Sequence, residues 1–151
     1  MMALNRDFLG RSYPSAVPYE VSRVKIREFA AAIGDHSPLY RDREAAVAAG
    51  HPDVMAPPTF PIVFSLSGAG EALADPDFGL NYAMVVHGEQ RFEYVRPIYA
   101  GDVLTCTSTI AEIRSVGRNE FLTVQSDVKT LDGELVCRAY NTIVERGGAA
   151  E

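Results

Sequence analysis

Thr59-Phe60-Pro61-Ile62-Val63-Phe64-Ser65-Leu66-Ser67-Gly68-Ala69-Gly70-Glu71-Ala72-Leu73 is the stretch on which the fold turns. Its apolar residues Phe60, Ile62, Val63, Phe64, Leu66, Ala69, Ala72 and Leu73 fall all round a helix rather than along one stripe. A helix apolar on every side is enclosed by other structure. Gly68 and Gly70 lower its helix propensity but let another backbone come close. The wider uncharged run, Val54 to Gly70, is interrupted by Pro57, Pro58 and Pro61 and is barely long enough to cross a bilayer, so a buried helix is expected there rather than a membrane span.

What could enclose such a helix lies downstream. Strands are expected at Val85–Arg96, Val103–Ser115, Glu120–Thr130 and Leu135–Val144, separated by Pro97 and Gly101-Asp102, by Gly117-Arg118-Asn119 and by Asp132-Gly133. Leu122, Val124, Ser126 and Val128 alternate with Thr123, Gln125, Asp127 and Lys129, the period of a half-buried strand. The short connections predict an antiparallel meander. A buried helix with a long antiparallel sheet implies an α+β domain, here a five-stranded sheet wrapped around Thr59–Leu73, in a single domain over residues 4–146. The Gly147–Glu151 tail is expected to fray.

Upstream, Ser22 can cap a helix carrying Ile26, Phe29, Ala30 and Ile33 at i, i+3, i+4 and i+7. Gly34 stands where a left-handed cap is expected, and Pro38 stops the helix from resuming. Asp42 can start a short helix through Ala49, ended by Gly50-His51-Pro52.

Composition narrows the function classes. The 151 residues carry 14 Lys and Arg against 20 Asp and Glu, a net charge of −6, with 47% hydrophobic and 23% charged residues. The basic residues are scattered, which argues against nucleic acid or an anionic membrane as a partner. Met1 to Gly10 shows no signal-peptide pattern, and a cytoplasmic protein is expected. Cys106 and Cys137 have no metal-type spacing and read as reduced, apolar cysteines. There is no Gly-rich phosphate loop, zinc spacing or Gly-x-Ser-x-Gly elbow, so no cofactor and no metal are expected.

Two motifs carry chemistry. Gly34-Asp35-His36-Ser37-Pro38-Leu39-Tyr40 places an acid, a turn-forming Pro and a ring side chain on one loop. His87-Gly88-Glu89-Gln90-Arg91-Phe92-Glu93-Tyr94 continues through Arg96-Pro97-Ile98 to Gly101-Asp102. In this order, with these elements between them, the motifs resemble the MaoC-like hydratases and dehydratases of the hotdog fold. Those have Gly-Asp-x-Asn-Pro-Leu-His in the loop and Arg-Pro-(Val/Ile)-x-x-Gly-Asp after the strand. The Tyr at position 40 and the Ala56-Pro57-Pro58-Thr59-Phe60 helix entry are similar to the N-terminal type. That group includes small, often non-catalytic subunits of heterodimeric (3R)-hydroxyacyl-ACP dehydratases.

The resemblance implies an acyl-CoA or acyl-ACP thioester as ligand, and a homodimer, or a heterodimer with a catalytic hotdog subunit, formed by pairing sheets edge to edge. It implies a hydro-lyase role in fatty-acid metabolism. Removing water from a 3-hydroxyacyl thioester needs a base for the α-proton, an acid for the hydroxyl and donors for the enolate-like oxygen. Asp35 stands at the family's catalytic acid position, and Tyr40 replaces its His. A phenol with a reference pKa of about 10 is a poor base at neutrality, though it can donate a hydrogen bond. His36 is a substitute only if its ring turns inward.

Ser37 replaces the loop Asn and, with Thr59, Phe60, His87 and Gly88, is expected to contact substrate. His51 reads as an exposed loop residue. Pro57 and Pro58 have no N–H to offer at the helix entry, which leaves the Thr59 and Phe60 amides as oxyanion donors. Three readings stand at this point: a dehydratase subunit completed by a partner, a non-enzymatic acyl-thioester-binding homodimer, and an independent hydratase or thioesterase using Asp35.

Overall fold

The computed structural model describes residues 3–149. The strands are β1 (Ser12–Pro14), β2 (Tyr19–Glu20), β3 (Val85–Tyr94), β4 (Val103–Val116), β5 (Asn119–Thr130) and β6 (Leu135–Glu145). The helices are α1 (Arg23–Ala32), α2 (Arg43–Ala48) and α3 (Gly70–Ala74). All strands join one antiparallel sheet in the order β1-β4-β5-β6-β3, with β2 also on β4. The sheet has six strands rather than the expected five. The N-terminal segment is split between β1 and β2, with Pro14 and Pro18 interrupting the ladder where they lack an N–H.

Alternation follows the sequence closely in β5, where Glu120, Leu122, Val124, Ser126 and Val128 are all buried. The meander is corrected in one place. β4, β5 and β6 follow one another, but β3 pairs with β6 and not with β4. The Val95–Asp102 connection is therefore a crossing along the end of the sheet, not a hairpin. It is held by Ala56 N–H to Ile98 O (2.8 Å) and Ala100 N–H to Val54 O (3.1 Å). Its ends are clamped by Arg96, which forms a two-pronged contact with Asp102 (2.9 and 3.0 Å). The Arg-Pro…Gly-Asp motif is thus a structural clamp, with Gly101 at φ +94° in the turn.

The central segment departs most from expectation. Instead of one α-helix over Thr59–Leu73, the chain forms a 3-10 turn at Phe60–Val63, further turns, and then α3. Successive N–H groups reach back three residues: Ile62 to Thr59, Phe64 to Pro61, Ser67 to Phe64 and Ala69 to Leu66. Pro61 contributes no N–H, and the two glycines weaken any α-helical continuation. Enclosure by the sheet compensates. A Cβ at Gly68 would stand 2.3 Å from the Tyr13 carbonyl oxygen, so the segment packs backbone to backbone on β1.

The core has two parts. One joins Ile26, Ala30, Tyr40, Phe60 and Phe64 to Leu104, Cys106 and Cys137. The other joins Leu4, Phe8 and Phe78 to Ile110, Leu122 and Val124. Burial pushes both thiols up to about 12, with each drawing a smaller push from a neighbouring acidic group, which leaves them unreactive. The tail is corrected as far as it is described: Ala149 N–H donates to Arg118 O (3.2 Å) and Gly147 N–H to Asn119 Oδ1 (3.1 Å). Residues 150 and 151 lie outside the described residues. No helix of the described residues is long and apolar enough to cross a membrane.

Candidate functional site

The loop after α1 owes its shape to Gly34. At φ +73° it ends the helix in a left-handed turn, with Gly34 N–H donating to Ala31 O (3.1 Å) and Asp35 N–H to Ala30 O (2.9 Å). This paired closure delivers Asp35 at the first position beyond the helix. Asp35 is half-buried, and its Oδ1 accepts from Ser37 N–H at 3.1 Å. Ser37 Oγ in turn accepts from Leu39 N–H (3.3 Å), capping a 3-10 turn over Pro38–Tyr40. The turn swings Tyr40 inward to 8% exposure. Burial, then the Asp35 carboxylate, push the Tyr40 phenol above its ordinary pKa. Tyr40 therefore stays protonated at neutral pH.

Met55 N–H donates to Leu39 O (2.9 Å), tying the loop to a cleft of about 230 Å³. Met55, Ala56, Pro58, Val95 and Pro97 make it apolar, and Tyr94 and Arg96 supply its polar atoms. Arg96 is committed to Asp102. The Tyr94 hydroxyl donates to Pro58 O at 2.7 Å, at the entry to the central segment. Its pKa is raised by burial first, then by Cys137 and Tyr40, so the two phenols are neighbours. Sequence reasoning did not single out Tyr94, although it ends the quoted strand motif; only the register that sets it beside Cys137 reveals its position.

The expected site residues separate into groups. Asp35, Ser37 and Tyr40 come together. Thr59 is exposed next to Pro58 of the cleft, and among the described residues no partner engages its N–H. Phe60 lies elsewhere: its side chain is 0% exposed, packed edge-on against Phe29 at 5.4 Å between ring centroids. Its N–H already donates to Pro57 O (2.9 Å), so it is not the free donor expected. His36 is exposed, with Nδ1 2.7 Å from the Arg41 guanidinium. His51 is half-buried rather than exposed, with Nδ1 3.0 Å from the Tyr99 hydroxyl.

His87 and Gly88 stand at the opposite end of β3 from Tyr94, about 20 Å away at the usual rise of a strand. Gly88 is the extra residue of a β-bulge, where a Cβ would meet Val144 Cγ2 at 2.9 Å. Among the described residues no group of His, Cys, Asp and Glu is arranged to hold a metal ion.

Within one protomer, then, an apolar cleft carries the Tyr94 phenol, and the loop joined to it by the Met55–Leu39 bond carries one carboxylate and a second protonated phenol. It can bind and orient a carbonyl-bearing apolar ligand; neither phenol exchanges protons near neutrality.

A six-stranded antiparallel sheet wrapped over a buried central segment, with an acid-bearing loop beside its entry, defines the chain as a MaoC-like protein of the hotdog fold. Residues 7–139 match the model of the FAS1-like dehydratase domain region, and the chain belongs to that family. A UPF0336 protein of Thermobifida fusca is 56% identical over 148 residues, covering 98% of this chain and 97% of that one.

Among solved structures, a MaoC-like dehydratase superposes with a TM-score of 0.85 at 31% identity over 92% of this chain, which spans 42% of that protein's length. The C-terminally truncated HadBC (3R-hydroxyacyl-ACP dehydratase) complex of Mycobacterium tuberculosis gives 0.83 at 26% identity. That match covers 93% of this chain and 99% of the other.

Proposed function

We propose that this chain is a substrate-binding subunit of a (3R)-hydroxyacyl-thioester dehydratase in cytoplasmic fatty-acid metabolism. In this reading it pairs through its sheet edge with a hotdog subunit that carries a complete acid–base pair. The carrying observation is the Asp35 carboxylate acting on a buried, protonated Tyr40 in a loop joined to an apolar cleft. The loop keeps its acid and its shape, but the second position lacks a group that can take an α-proton at neutral pH. The similarity to a (3R)-hydroxyacyl-ACP dehydratase complex supports the choice of reaction and the expectation of a partner.

In this proposal the acyl thioester, on CoA or acyl carrier protein, enters along Met55, Pro58 and Tyr94. Asp35, Ser37 and the Thr59 N–H flank its carbonyl end. The proline entry and the spent Phe60 amide leave the Thr59 N–H as the donor at the entry to the central segment, which also favours a binding role. The test is enoyl-thioester hydration by the purified chain, alone and co-expressed with a hotdog protein bearing Asp and His. Turnover only with the partner supports the proposal. Binding without turnover in either case points to a non-enzymatic acyl-thioester homodimer, and turnover alone, lost in Asp35→Asn, to an independent hydratase.

A further inference from the structure

Two buried carboxyl groups face each other at the end of the sheet away from the cleft, and the proposed function uses neither. Tyr94 of the cleft lies opposite Cys137, whereas Glu145 closes the other end of β6, between Val85 of β3 and Glu120 of β5. Glu120 and Glu145 are directly opposite in the ladder, where side chains on one face stand about 5 Å apart at Cβ. They are 0% and 2% exposed.

Only one of the two is compensated. Glu120 Oε1 accepts from Ser115 Oγ at 2.6 Å, and its Oε2 forms an ion pair with Arg6 Nη2 at 2.8 Å. That ion pair is not aligned as a hydrogen bond, because Arg6 donates to Ser115 Oγ (2.9 Å) and Leu4 O (2.7 Å). Glu145 accepts from the Asn81 backbone N–H, and its Oε2 has no hydrogen-bond partner among the described residues. One arginine thus serves two carboxyls. Like charges directly opposite on neighbouring strands oppose pairing, and burial penalises a carboxylate further. A proton on Glu145 removes the conflict: the acid is neutral, and its O–H is the donor that both Oε2 atoms lack.

The C-terminal segment closes over this pair. Gly148 is buried, and a Cβ on it would stand 2.7 Å from Glu145 Oε1, so its backbone lies directly on the carboxyl. The segment is held by Gly147 N–H to Asn119 Oδ1 (3.1 Å) and Ala149 N–H to Arg118 O (3.2 Å). Arg146 N–H donates to Met84 O (3.0 Å), in the 3-10 turn Tyr82–Met84 that leads into β3.

We propose that Glu145 carries a proton shared with Glu120 while the C-terminal segment is seated, and that losing this proton as pH rises releases Gly147–Ala149 from the sheet. The charged groups on the elements around Glu145 are Glu120 from β5 and, through it, Arg6 from the 3-10 turn Arg6–Phe8; Arg118 and Arg146 are exposed. β3 presents Val85, the turn before it the Asn81 N–H, and the tail its glycine backbone. Burial raises the Glu145 carboxyl above its ordinary 4.5; the Asn81 N–H opposes this, and the Glu120 charge adds to it. A raised folded-state pKa gives stability that is complete below about 4.5 and is lost as pH climbs through the folded value. Opening the tail admits water to Glu145, so ionisation and release are linked.

Carbon-detected NMR of the wild-type carboxyls should show Glu145 titrating above 4.5, and Glu120→Gln should move that midpoint down. Amide exchange at Gly147 and Ala149 reads the release, compared at each pH with Glu145→Gln, whose amide keeps the shape and the donor of the protonated acid. Relative protection in wild type should fall by about tenfold per pH unit between 4.5 and the Glu145 midpoint, then level off. Core amides such as Val124 should stay at least about tenfold better protected, which marks the opening as local. A wild-type midpoint at or below 4.5 would overturn the proposal, as would a midpoint unmoved by Glu120→Gln. So would tail exchange that matches Glu145→Gln at every pH, or protection lost equally in core and tail.

Discussion

Replacing Phe60 with Ala separates packing from ligand contact at a residue the sequence assigns to substrate. Its ring is fully enclosed, with Phe29, Phe64 and Tyr19 at 5.4, 6.2 and 6.3 Å between centroids. Truncating a phenylalanine so placed costs about 3–5 kcal/mol, the lost transfer energy plus a cavity that rigid neighbours only partly fill. For 151 residues the unfolding entropy near the transition is about 0.3 kcal/mol per kelvin, so the melting temperature should fall by roughly 10–15 °C. Circular dichroism melts and urea titration measure the loss. Below the new transition, acyl-thioester affinity should stay within about threefold of wild type, because the side chain does not face the cleft. A fall of under about 3 °C together with a tenfold loss of affinity would place Phe60 on the ligand and refute the packing of the 3-10 turn.

Gly68→Ala should be costly because its Cβ meets a backbone oxygen at 2.3 Å and only a shift of the central segment relieves it; about 1–3 kcal/mol of stability should go, read by the same melts. Gly70→Ala, with nothing within 4 Å, should be neutral or slightly stabilising. The Arg23 guanidinium, donating to Asp53 at 2.6 Å, holds that carboxyl at about 2, below the ordinary 3.8. A lowered folded-state pKa contributes stability above pH ~4 that is lost as pH falls toward 2. Wild type should therefore exceed Asp53→Asn by about 1 kcal/mol at pH 7, its two ion-pair partners Arg23 and Arg43 being largely exposed, and the gap should close across that acidic window. Tyr40→His should raise enoyl hydration by the chain alone by about 100-fold, the low end for general acid–base catalysis, with a pH profile bending near 6–7; an unchanged rate would show that donors, not the base, are limiting.

Much of this molecule is legible in its sequence where a local rule governs. Gly34 before Asp35 announces a left-handed helix end, and the alternation of Leu122 through Val128 fixes which face of β5 is buried. The central segment is less legible because its periodicity is ambiguous. At three residues per turn instead of 3.6, each residue turns about 20° further, so the faces assigned to Phe60 and Ile62 drift from those of an α-helix. Ile62 accordingly comes out 37% exposed while Phe60 is buried.

Non-local pairing is hidden as well. Nothing near Val95–Asp102 distinguishes a crossing past β6 and β5 to β4 from a hairpin until Ile98 and Ala100 meet Ala56 and Val54. The His51–Tyr99 contact and the place of Tyr94 beside Tyr40 follow from the same crossing. The loop's chemistry was readable from Asp35 and Tyr40 themselves; the direction taken by His36 was not, because it depends on Arg41.

The central claim is that this chain holds an acyl thioester beside Asp35 without a group able to take its α-proton. Steady-state hydration of an enoyl thioester by the purified chain alone, at neutral pH and saturating substrate, tests it most directly. The account predicts binding with turnover far below about 1 per second, and turnover at or above that rate would contradict it.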